Sequence, residues 1–171
     1  MKSGLFVYHL TAVLLSGFAL WSMRHERNEK ATGVGTWFLP VVLSLITAAI
    51  LLMVSPGKRI ELWVIGIVVG FGAGLGAGTI VHVNKDFERR LVRMHRTWDG
   101  IVATTLLFLL ALARIISSDF TSRQSSNSGL LGAIAVCIAA YLLGRALSLH
   151  FYTAPRTIHL DMVRGERAPL E

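Results

Sequence analysis

The sequence predicts an all-α, polytopic integral membrane protein: a bundle of about five transmembrane helices with a basic cytoplasmic face. Three observations lead there. First, 53% of the 171 residues are hydrophobic and only 16% charged, with a mean hydropathy of +0.59, whereas a soluble domain carries about 25% charged residues. Second, the charges are clustered and leave five apolar windows at about 4–23, 37–54, 62–81, 100–116 and 130–149, each near the roughly 20 residues that a helix needs to cross a bilayer. Third, the basic residues are shared unequally between alternate connectors. A soluble helical protein is excluded because near-continuous apolar runs leave no polar face for water.

The first window follows Lys2 and runs to Trp21. That exceeds the roughly 7–15 apolar residues of a signal peptide, so it reads as a retained helix. The third window carries Gly66, Gly70, Gly72, Gly74, Gly76 and Gly78 within thirteen residues. A phosphate-binding glycine loop needs a preceding strand and a helix N-terminus, and a P-loop ends in Gly-Lys-Ser/Thr; this run has neither. Gly66, Gly70, Gly74 and Gly78 step by four, and Gly72 and Gly76 add further helix-packing positions, which marks a tandem GxxxG ridge for close approach of backbones in lipid. The ridge suits an internal helix, a second copy of the chain, or a flat ligand such as a lipid tail or a porphyrin. Gly17, Gly132, Gly144, Ser44, Thr104 and Thr105 add further small or hydroxylated packing positions.

Orientation follows from the charges. With five spans, one side holds Lys2, Lys58, Arg59 and Arg123. The other holds Arg24, Arg27, Lys30, Lys85, Arg89, Arg90, Arg93, Arg96, Arg156, Arg164 and Arg167. The positive-inside bias places the N-terminus outside and the C-terminus, with its tail 150–171, in the cytoplasm of a bacterial cell. Trp21, Trp37, Trp63 and Trp98 fall near window ends, as in an aromatic belt. The net charge of +7 thus belongs to the membrane surface. It hugs the span ends without a recognisable reading module, which excludes nucleic acid as a partner.

The connector 82–98 has two readings. Val83, Phe87, Leu91, Met94 and Trp98 recur at helical spacing, with the basic residues off that stripe, as in an amphipathic helix lying on anionic headgroups. Alternatively, Asn84-Lys85-Asp86 makes a tight turn between two extended arms.

All ten carboxylates lie in connectors, in the tail or at window ends. This argues against a proton-coupled carrier, which needs a titrating group at depth. Arg114 and Arg145 lie inside windows, each near an end, where snorkelling or helix packing accommodates them. Arg114, Arg145, Arg89, Arg93 and Arg96 are the candidate contacts for an anion or headgroup. His82 and His150, at span ends on one side, are the candidate axial ligands should haem bind; otherwise no cofactor and no metal is expected. The single Cys137 excludes an intrachain disulfide and a CxxC redox pair.

Catalytic signatures fail one by one. His25-Glu26-Arg27-Asn28-Glu29 lacks the second histidine of HExxH, and Gly-x-Ser-x-Gly is absent. Asp99-Gly100-Ile101-Val102-Ala103 faintly resembles the start of a phospho-alcohol transferase motif. However, Arg96 replaces the preceding aspartate and none follows in the span, so no two-metal carboxylate site forms.

Gly70, Gly74 and Gly78, the connector Val81–Arg96, Trp98 and Leu112-Ala113-Arg114-Ile115 together resemble the CcdC-like family of uncharacterised bacterial membrane proteins, over about a third of the chain. In the last element Ala113 directly precedes Arg114, a departure from the Ala-x-Arg-Ile pattern. The resemblance implies a link with cytochrome c biogenesis but no established reaction and no catalytic residues. The expectation is a non-enzymatic accessory or scaffold protein acting through helix–helix and lipid contacts, with another membrane protein or a second copy as partner. The alternatives are a small permease or channel for an anionic or neutral solute, and a haem-binding electron-transfer or cytochrome-biogenesis subunit.

Overall fold

The structure is a computed structural model describing residues 2–23, 32–55, 59–80, 83–86, 91–94, 98–120 and 128–151. Among these residues are five helices, α1 (Lys2–Ser22), α2 (Val34–Met53), α3 (Ile60–Ile80), α4 (Asp99–Phe120) and α5 (Ser128–Phe151). Three short strands accompany them: β1 (Thr32–Gly33), β2 (Val83–Asp86) and β3 (Leu91–Met94). Each helix matches one apolar window to within one to four residues at either end. Three contain stretches long and apolar enough to cross a membrane: Ile60–Ile80, Asp99–Ile116 and Gly129–Phe151. Phe6–Ser22 and Phe38–Met53 are shorter apolar helices.

Helix α5 occupies the centre and packs on α2, α3 and α4, while α1 packs on α2 and α4. The core between α1, α2, α4 and α5 interlocks Ala12, Ala48, Leu51, Leu107, Ala111, Ala135, Val136 and Ala139. A second cluster joins Met23, Val41, Ala103, Leu142 and Ala146. Hydroxyls buried in this core are satisfied within their own helices: Ser16 Oγ donates to Ala12 O (2.8 Å), Ser44 Oγ to Pro40 O (2.7 Å), Thr47 Oγ1 to Leu43 O (2.8 Å) and Thr104 Oγ1 to Gly100 O (2.9 Å). Such back-bonds let a polar residue sit in an apolar interior without an interhelical partner.

Of the two readings of the connector after α3, two extended arms are found in place of the amphipathic helix. Segments 83–86 and 91–94 are antiparallel strands, with Val83 opposite Met94 and Asp86 opposite Leu91. The turn does not fall at Asn84-Lys85-Asp86 either, since all three belong to β2. The reason lies outside the connector. β1, from the connector between α1 and α2, pairs with β3 through Thr32 opposite Val92 and Gly33 opposite Leu91, giving the order β1-β3-β2. A two-stranded hairpin is marginal by itself, and a third strand supports it. This sheet ties the first and third connectors together at one end of the bundle.

Candidate functional site: a groove between α3, α4 and α5

The α3–α5 seam is built from absent side chains. The buried residues of α3 are Gly66, Gly70, Gly74 and Gly78. A Cβ added at Gly66 would lie 2.9 Å from Ala133 O, and one at Gly78 would lie 2.8 Å from Arg145 O and 2.5 Å from Ser148 Cβ. At Gly70 it would collide with Cys137 O, and at Gly74 with Tyr141 O. Gly144 returns the contact from α5, where a Cβ would strike Phe71 O. The ridge therefore seats backbone on backbone, at a separation no larger residue allows. Gly72 and Gly76 take no part in this seam: nothing lies within 4 Å of a Cβ at either, on the outer face of α3.

Beside the seam, α4 begins with a polar knot. Trp98 O accepts the first helical bond from Val102 N–H (2.8 Å), so Asp99 is the first residue of α4 proper, where a carboxylate complements the helix dipole. Tyr141 and Arg145, one turn apart on α5, reach it together. Arg145 Nε lies 2.6 Å from Asp99 Oδ2, Arg145 Nη2 donates to Oδ1 at 3.3 Å, and Tyr141 Oη donates to Oδ2 at 3.1 Å. The arginine side chain is 4% exposed and the aspartate 31%. Of snorkelling and helix packing, the two readings of Arg145, its burial against Asp99 fits helix packing. Close docking of Gly74 and Gly78 against its backbone closes one side of it.

A cavity of about 350 Å³ opens from this knot, lined by Val69, Gly70 and Ala73 of α3, Asp99, Val102, Ala103 and Leu106 of α4, and Cys137, Ile138 and Tyr141 of α5. Its size falls at the lower end of small-molecule sites, which combine apolar walls with a few polar groups.

The other candidate residues lie apart from this groove. Arg114 Nη2 donates to Ser55 Oγ at 2.9 Å. His9, only 3% exposed, lies within reach of the Arg114 charge, and its Nδ1 has no hydrogen-bond partner among the described residues. His150, in the last turn of α5, makes edge contacts with Phe38 and Phe151, at ring-centroid distances of 5.8 and 5.0 Å. Arg93 stands in β3 opposite Asn84; Arg89, Arg96 and His82 lie outside the described residues. Among the described residues, no three His, Cys, Asp or Glu side chains gather as a metal site.

Sequence reasoning missed the Asp99–Tyr141–Arg145 knot. The available signal was depth: Asp99 opens one apolar window and Arg145 nears the end of the next, so antiparallel neighbours bring them level. Comparison with protein-family models, with curated proteins and with solved structures finds no match for this chain.

Proposed function

We propose that this chain is a non-enzymatic accessory or scaffold protein of the bacterial cytoplasmic membrane, acting through helix–helix and lipid contacts. It crosses the bilayer five times, with the N-terminus outside and the β-sheet and C-terminal tail in the cytoplasm. Pairing of β1 with β3 supports that path, because two alternate connectors that meet lie on one side. Their basic residues agree with it under the positive-inside rule. Kinship with the CcdC-like family remains part of the proposal, resting on the glycine ridge, Trp98 and Leu112–Ile115.

The carrying observation is the mounting of α3. Docked through a face whose buried residues are all glycines, it turns Ile65, Val68, Val69, Gly72 and Gly76 outward, an apolar surface of a kind that meets lipid or another helix. Purification from the native cell in mild detergent, with mass spectrometry and an absorption spectrum on one sample, tests the reading. A stoichiometric partner or a homo-oligomer supports it. A monomer that turns over an added lipid sinks it, and a Soret band moves the assignment to the haem-binding alternative.

A further inference from the structure

We infer that the groove between α3, α4 and α5 binds an uncharged membrane lipid with a hydroxyl head, the hydroxyl donating to Asp99 and the chain lying along α4. The inference rests on the membrane reading above and names the lipid that one site takes.

Geometry gives the chain its place. Helices α3 and α4 both dock on α5 without extensive contact with each other, which leaves a slot open to the side. Its rims, Val69, Val102 and Leu106, are each more than half exposed, so the mouth faces whatever surrounds the spans. The small buried residues Gly70 and Ala103 give it depth. From Asp99 to Leu106 the slot follows α4 for about 10 Å, beginning where the span begins. A lipid chain entering from the bilayer therefore runs down the groove with its head at interfacial depth.

Charge selects the head. Arg145 balances Asp99, so the knot is neutral overall, and a cation added beside it stays uncompensated among apolar walls. A phosphate brought to the same place meets the Asp99 carboxylate as a like charge. The carboxylate accepts hydrogen bonds only, and the Asp99 side chain, which lines the groove, is 31% exposed. A neutral donor satisfies all three conditions, and a hydroxyl is the simplest that a membrane lipid carries. Freely soluble polar solutes are disfavoured because the walls below the knot offer them no polar partner.

The test uses the full chain in phosphatidylcholine vesicles with a long-chain alcohol carrying a photoactivatable diazirine near its tail. Adducts mapped by mass spectrometry are expected on the segments 69–73 and 102–106, and excess unlabelled alcohol should remove them. Ala73→Phe, which fills the groove from its exposed rim, should lower that labelling about tenfold, equivalent to about 1.4 kcal/mol. Gly72→Phe, on the open outer face, should leave it unchanged, and an unaltered thermal transition checks that both variants fold. Labelling spread evenly over all helices, or untouched by Ala73→Phe in a folded protein, overturns the inference. Preferential labelling by a diazirine phosphatidic acid overturns the choice of head. Loss of the protein from vesicles on alkaline carbonate washing sinks the membrane reading itself, whereas retention with uniform labelling sinks only the groove.

Discussion

Two interfaces on one helix, α5, are built by opposite means. Towards α2 and α4 it interlocks side chains, with Leu51, Leu107 and Leu142 each at most 1% exposed. Towards α3 it offers backbone, and α3 answers with four glycines. Accordingly, 56% of the apolar window of α5 is buried but only 17% of that of α3. In lipid, apolar side chains gain little from leaving the solvent, so close packing must hold helices together. The side-chain core achieves it by filling space, and the seam by removing the obstacles to contact. One interface should therefore fail when atoms are deleted, the other when atoms are added.

The largest effect is expected at the centre of the seam. Gly74→Leu drives four carbons into the Tyr141 carbonyl and should cost about 3 kcal/mol or detach α3 outright. A denaturant titration in detergent reads this out, and a transition unchanged from the parent would refute the brittle seam.

Next comes the knot that borders both interfaces. Arg145→Ala leaves Asp99 without its cation and should cost on the order of 3 kcal/mol in a denaturant titration in detergent. Because Asp99 keeps partial exposure, the double variant Asp99→Asn with Arg145→Ala should lose less than the two single losses combined. Strict additivity would mean the pair contributes nothing as a pair.

Leu107→Ala tests the side-chain core. With the transfer contribution reduced in lipid, mostly the cavity cost remains, about 2 kcal/mol in the same titration. The smallest effect belongs to Gly72→Ala and Gly76→Ala, where the added methyl meets open space. Stability should stay within about 0.5 kcal/mol of the parent or rise slightly, since alanine favours a helix. A clear loss at either position would reveal a second covered face on α3.

Much of this contrast was readable in advance, but only on one side of each contact. Steps of four single out Gly66, Gly70, Gly74 and Gly78 as one helical face, because a helix repeats every 3.6 residues, whereas Gly72 and Gly76, expected to pack with them, face open space. That α5 supplies the opposing backbone was not legible, since small residues invite a neighbour without naming it. Arg145 and Asp99 lie 46 residues apart, and nothing local links them; each alone resembled an ordinary end-of-span charge. The connector 82–98 stayed divided between helix and hairpin for the same reason. Its helical stripe was local, whereas the strand that stabilises its hairpin comes from residues 32–33. The helices themselves were legible because length and apolarity are properties of each segment alone.

The central position of α5 also bears on biogenesis. It follows the other four helices in the chain, yet three of them dock on it. As the chain emerges from its N-terminus onward, α3 enters the bilayer with its glycine face unclaimed and no other extensive docking site among the described helices. During that interval the same smooth ridge is open to any passing helix or insertion factor. A late arrival of α5 then completes the assembly in one step, and a chain stalled before residue 128 exposes the surface that the finished protein hides.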